Sequence, residues 1–204
     1  MASLAKRLRR EGMDTAVNTG VKTGINTGVD VAKSGGKAIL NAARDESQCL
    51  CLKVTNKTHE KWIRPKLYLN CGATVDLLPL TVDHSKDVEY SVRKRKWTFS
   101  GIAGVVTYEW QSAGKTYYIA VMFRKPTLSR NNWNAVVYEN PVEVNQQLFT
   151  ELKQQRGQYP AMRADANYVN REFGTYALQG AMTMTSTGAA TLHITISCTS
   201  DFDE

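Results

Sequence analysis

Gly101-Ile-Ala-Gly-Val-Val-Thr-Tyr-Glu-Trp-Gln-Ser-Ala-Gly-Lys-Thr-Tyr-Tyr-Ile-Ala-Val-Met-Phe123 is a pair of apolar runs folded about Ser112-Ala-Gly-Lys115. Runs rich in β-branched and aromatic residues on either side of a glycine turn read as a β-hairpin, here with strands over 97–110 and 117–123. Further short runs lie outward in both directions. Residues 49–55 alternate apolar and polar and end in a turn at 56–59. Residues 63–69 and 75–80 follow, the second closed by Pro79. Beyond the hairpin come 133–138, 176–184 and 191–197, the last two joined by a turn at Thr187-Gly188. Many short strands with turn signals between them predict a mainly β protein, a β-sandwich. One segment breaks the rhythm. Residues 142–155 place Val144, Leu148, Phe149 and Leu152 on one face, which predicts an amphipathic helix ended by Gly157 and Pro160.

Residues 1–48 are of another kind. Between Asp14 and Asp30 a tetrad repeats, with Val17, Val21, Ile25 and Val29 in one row and Gly20, Gly24 and Gly28 beside it. Asp14, Asn18, Lys22, Asn26 and Asp30 make a polar row. As a helix this would be poor in water, since each interior glycine costs about 1 kcal/mol against alanine. In a bilayer the balance reverses. Unpaired backbone groups are intolerable there, and glycines at i, i+4 let helices approach closely. The residues alone leave open a membrane-active segment, a loose tail, and a helix packed on the body.

Composition narrows the function. The net charge is +7, with eight Lys/Arg against five Asp/Glu in residues 1–48 and eighteen against eleven in 49–200. The acidic tail 201–204 returns three negative charges. A basic body suits anionic lipid or nucleic acid. Arg93, Lys94, Arg95 and Lys96 run consecutively into Trp97, a pattern suited to a membrane interface. No apolar run reaches the ~18–20 residues of a membrane span. The start, MASLAKRLRREGM, has no apolar signal core, so the soluble form is expected in the cytosol or exported without a visible signal. Chemistry is sparse. There is no nucleophile elbow, Walker loop, HExxH or acid pair, and Gly101-Ile-Ala-Gly104 reads as packed glycines, not a phosphate loop. Cys49, Cys51, Cys71 and Cys198 read as free thiols with a possible redox role, Cys49 and Cys51 sharing a strand face. His59, His84 and His193 are scattered, so no metal, no cofactor and no catalysis are expected.

Along 56–196 the motifs fall into the order of a known family. Asn56 through Trp62 is similar to N-E-S-G-x-T-W, and Tyr68-Leu-Asn-Cys-Gly72 to Y-F-x-S-G. Residues 100–108 match T-G-A-V-G-V-x-x-Y, and Gly114-Lys-Thr with 120–126 matches G-x-T-L-x-V-x-F-S-V-P. Residues 132–138 resemble W-W-x-V-x-I-Y, Arg156-Gly157 the family's R-G-D, and Gly180-Ala-Met-Thr183 its G-x-M-T. The chain thus resembles the actinoporins, pore-forming cytolysins of sea anemones, and their relatives.

The resemblance implies a β-sandwich over 49–200 flanked by two helices, with residues 1–48 inserting into a target membrane and assembling with other copies into a pore. The polar row would line the lumen, and the Val, Ile and Gly rows would face lipid or a neighbouring helix. It also implies a headgroup site, mapped onto Cys71, Ala103, Arg124, Pro126, Arg130, Trp133, Phe149 and Lys153. Cys71 and Arg124 stand where the family has serines. The loop after Pro126 is shorter, and Leu128-Ser-Arg130-Asn-Asn132 replaces its aromatic stretch. Arg124, Arg130 and Lys153 would repel choline, so anionic lipids are the expected partners. The alternatives are a non-lytic lipid- or glycan-headgroup-binding module of the same fold and, more weakly, a nucleic-acid-binding β domain.

Overall fold

The computed structural model describes residues 48–96, 98–154, 161–163, 169–183 and 188–199. The expected pore-lining row, the Val/Ile/Gly rows, Trp97, the Arg156-Gly157 helix end and the acidic tail lie outside the described residues.

The hairpin at the centre of the sequence is the centre of the fold. Strands β5 (Ile102–Ser112) and β6 (Lys115–Lys125) pair antiparallel from Ile102↔Lys125 to Ser112↔Lys115. Ala113 and Gly114 turn with φ of 49° and 77°, the left-handed pair whose twist suits a two-residue hairpin. Strand β2 (Ile63–Cys71) joins on one side. Strands β7 (Asn132–Tyr138) and β8 (Met162–Arg163) join on the other, giving the order β2-β5-β6-β7-β8.

The second sheet joins the first and last strands. Strand β1 (Cys49–Lys57) pairs in parallel with β11 (Ala189–Cys198), with Leu52 opposite Leu192. Strands β3 (Ala73–Thr74), β4 (Lys86–Arg93), β9 (Val169–Phe173) and β10 (Tyr176–Met182) complete the order β3-β4-β1-β11-β10-β9.

Side-chain alternation then builds two cores. Ile102, Val106, Tyr108 and Trp110 of β5 meet Leu50, Leu52, Leu178, Ile194 and Ile196 between the sheets. Ala103 and Val105 point to the opposite face, where Leu148, Phe149 and Leu152 cover them. These three belong to helix α1 (Gln146–Gln154). With both faces of the five-stranded sheet covered, its central strands read as continuous apolar runs, not alternating ones. Trp62, Trp110 and Trp133 are fully buried, and Trp110 stacks on Trp62 at 5.3 Å between ring centroids.

The structure corrects two expectations, the strand over 75–80 and the bounds of the helix over 142–155, and adds strands that the sequence reading lacked. Residues 75–80 are not a strand. Pro79 lacks an N–H, its carbonyl accepts from the Tyr108 hydroxyl, and Leu77 and Leu80 stand exposed. The place beside β1 belongs instead to β4, where Val88, Tyr90 and Val92 alternate with charged and polar residues. The helix is shorter than 142–155. Asn145 starts it, its Oδ1 accepting from the backbone N–H of Gln147 at 2.9 Å and of Leu148 at 3.1 Å. Val142 and Val144 still pack on the outer core, but as the irregular chain leading to the cap. Strand β9, rich in charge, had no strand signal in the sequence. Of the two flanking helices expected, α1 is the one among the described residues.

Candidate headgroup pocket

At one end of the five-stranded sheet, β2 finishes at Cys71, β5 begins at Ile102 and β6 finishes at Lys125. The segments entering β5 and leaving β6 cross closely at Gly101. A Cβ there would overlap the Lys125 carbonyl oxygen and lie 2.6 Å from Pro126 Cα, so only glycine fits without displacing backbone. Thr127 Oγ1 donates to the Phe99 carbonyl at 3.1 Å and ties the two segments again. Helix α1 approaches from the outer face with Phe149 and Lys153. The result is a cavity of about 340 Å³ lined by Cys71, Ala103, Arg124, Pro126, Phe149 and Lys153, together with Asn70, Phe99, Ser100, Thr127, Leu128 and Ser129.

Six of the eight residues expected at the headgroup site therefore line one pocket. The other two do not. Trp133 is 1 % exposed and sits in the core, with the Arg171 guanidinium 5.7 Å from its ring centroid. It pairs with Phe123 across β6 and β7, and both rings point between the sheets. Its strand register puts it on the face away from α1. Arg130 is exposed on the loop beyond Ser129 and does not line the cavity.

The pocket is electropositive. Arg124 is half-buried and Lys153 exposed, and among the described residues neither has an ion-pair or hydrogen-bond partner. No Asp or Glu is among the lining residues. Burial raises the Cys71 thiol above its ordinary pKa, with the Arg124 and Arg95 charges and an Asn70 hydrogen bond opposing that rise. Arg95 belongs to the basic run and is held beside the pocket, its Nε donating to the Gly72 carbonyl at 2.9 Å. Gly72 has a φ of 109°, a left-handed conformation that glycine adopts without strain. Arg93 and Lys96 are exposed, and the Lys94 N–H donates to the Gln48 carbonyl at 2.8 Å.

Two rim residues escaped the sequence reading. Phe99 and Leu128 are 97 % and 96 % exposed and flank the cavity. Their signal was present as large apolar residues within Thr98-Phe-Ser-Gly101 and Pro126-Thr-Leu-Ser129, segments whose small and turn-forming residues favour loops.

The remaining candidates are apart from this pocket. Cys49 and Cys51 lie on the face of β1 opposite Leu50 and Leu52, and both are buried. Burial pushes the Cys51 thiol up to about 11. Cys198 lies in the core between the sheets. No disulfide joins any of the four cysteines. His84 donates from Nδ1 to the Thr58 carbonyl oxygen and stacks on His59 at 5.8 Å, which makes it part of a turn. Among the described residues no three His, Cys, Asp or Glu side chains are grouped as a metal site would need.

Comparison with known proteins agrees with this architecture. The family model described as sea anemone cytotoxic protein matches residues 16–198. DELTA-actitoxin-Aeq1b of Actinia equina is 31% identical over 162 residues, which cover 78% of this chain and 72% of that one. DELTA-actitoxin-Afr1c of Actinia fragacea is 30% identical over 78% of this chain and 87% of its own length. Cytolysin tenebrosin-B of Actinia tenebrosa is 30% identical, covering 78% and 72%. Among solved structures, the lipid-binding protein Nakanori superposes with a TM-score of 0.61 at 14% identity, over 78% of this chain and 76% of that one, a likeness of fold alone.

Proposed function

Because this chain belongs to the sea anemone cytotoxic protein family, the actinoporins, whose members are cytolysins and not enzymes, we propose that it permeabilises membranes. The sandwich docks on lipid through the pocket end, where Arg124 and Lys153 meet the headgroup region and Phe99 and Leu128 meet the apolar boundary. Arg93, Arg95 and Lys96 add attraction of roughly 1 kcal/mol each to an anionic surface. Residues 1–48 then insert as a helix and assemble with copies from other protomers around a pore. In that helix Asp14, Asn18, Lys22, Asn26 and Asp30 face the lumen, and Gly20, Gly24 and Gly28 allow close helix contacts.

The observation that carries the docking step is the pairing of unpartnered cations with two almost fully exposed apolar side chains around one cavity. Large apolar side chains so exposed need a partner surface, and the adjacent positive charge specifies an anionic one. The test is dye release from vesicles with and without anionic lipid, using the full chain and a chain starting at Ser47. Leakage is expected from anionic vesicles, to weaken as salt rises, and to vanish without residues 1–46. Equal leakage from both chains would remove the insertion step. Binding without leakage by the full chain would favour a non-lytic lipid-binding module.

A further inference from the structure

Net attraction to an anionic surface does not say which headgroup enters the cavity, but the lining chemistry does. Arg124 and Lys153 present two positive charges to the same space, and no carboxylate among the described lining residues offsets them. Choline, ethanolamine and serine headgroups each carry a cation of their own, which would be brought toward these two charges. A cation could be tolerated if an electron-rich ring faced it. Two rings line the cavity, but they do not enclose it: Phe99 stands 97 % exposed at the mouth, and Phe149 keeps most of its ring in the outer core. Phe149 is 5 % exposed and its ring lies 6.4 Å from Tyr68, centroid to centroid. A phosphomonoester carries up to two negative charges and no cation. Arginine holds such a group with a planar fork of donors and lysine with a point charge.

The cavity also suits a small group of this kind. At about 340 Å³ it lies at the low end of small-molecule sites. Asn70, Ser100 and Ser129 add neutral polar groups to the lining. Phe99 and Leu128 at the mouth favour a phosphomonoester carried on acyl chains over a free one.

We infer that the pocket selects a lipid-borne phosphomonoester, of the phosphatidic acid kind, over zwitterionic headgroups and over phosphatidylserine. This rests on the membrane-binding reading above and makes its headgroup chemistry specific.

The experiment measures binding of the full chain to phosphatidylcholine vesicles containing either phosphatidic acid or phosphatidylserine, adjusted to equal surface potential. Phosphatidic acid vesicles should bind about tenfold more tightly, the scale of one charge-assisted hydrogen bond to a phosphate. Arg124→Gln should lower phosphatidic acid binding by about that factor, and phosphatidylserine binding far less, with Arg124→Lys recovering part of the loss. Lys115→Gln, which removes one exposed charge at the far end of β6, controls for net charge and should lower both alike. Unfolding midpoints of the variants verify the fold. Equal binding at equal surface potential, or an Arg124→Gln effect the same on both lipids, would overturn the inference while leaving attraction to anionic membranes intact. Binding that requires sphingomyelin and ignores salt would overturn both. Soluble glycerol 3-phosphate separates the two sources. Weak or no competition at millimolar concentration supports a lipid ligand, and full displacement at micromolar concentration would overturn it in favour of a free metabolite.

Discussion

Gly101→Ala is a sharp test of how the pocket is held together. The added methyl group would overlap the Lys125 carbonyl oxygen and press on Pro126 Cα, both backbone atoms that cannot rotate away. Inserting atoms into a packed site costs about 1–3 kcal/mol, and a backbone obstacle puts this change at the upper end. In a protein of this size each kcal/mol moves the unfolding midpoint by about 2–4 °C, so a loss of roughly 6–12 °C is expected. Gly114→Ala is the comparison. Nothing lies within 4 Å of a Cβ there, but its φ of 77° is left-handed. Strain alone should cost about 1–2 kcal/mol, a smaller shift. The two variants are measured by thermal unfolding under one set of conditions, with vesicle binding as the second readout. Gly101→Ala should lose binding as well as stability, since separating the two segments deforms the cavity wall, whereas Gly114→Ala should bind normally. If Gly101→Ala unfolded within about 2 °C of the parent, or above Gly114→Ala, the crossing would not be a close one and the account of the pocket would fail.

Other perturbations follow from single groups. Asn56 is fully buried, its Nδ2 donating to the carbonyls of Glu60 and Val82 and its Oδ1 accepting from the N–H and hydroxyl of Thr58. Asn56→Ala should cost about 3 kcal/mol or more by denaturant unfolding, and Asn56→Asp should do no better, because a carboxylate cannot donate to those two carbonyls. Burial lowers the pKa of His193 from its ordinary 6.5, helped by the neighbouring Lys53 and Lys57 charges and opposed by Asp87. The unfolded chain therefore takes up this proton first as pH falls below 6.5, and stability drops there until the folded imidazole is protonated too. His193→Gln, which can keep the bond to Thr55 Oγ1, should flatten that part of the pH–stability curve. A thiol reagent under native conditions should modify half-buried Cys71 before buried Cys49, Cys51 and Cys198, faster as pH rises; equal rates for all four would show the sheet face over Cys49 and Cys51 to be open.

Local pattern was enough for much of this. The hairpin of β5 and β6 was legible because turn chemistry and β-branched runs act over a few residues and need no partner to be read. The ordered motifs from Asn56 to Ile196 likewise led to the family, and through it to six residues that do converge on one pocket. The failures have physical causes. Val142 and Val144 kept helical spacing, but Asn145 satisfies the first free N–H groups and starts α1 after them. Residues 75–80 looked like a strand because burial cannot be told from apolarity alone, and β4 took the place beside β1. Trp133 had the composition of a headgroup contact, yet strand register turned it into the core, where its ring meets Arg171. Sequence alone therefore determined the strand-rich body, the family and the basic, cysteine-containing variant of the pocket. Tertiary structure alone decided which side of each strand faces the cavity and that Phe99 and Leu128 share its rim. Those outcomes depend on register and on crossings such as Gly101 over Lys125, which join residues distant in the chain and have no local signature.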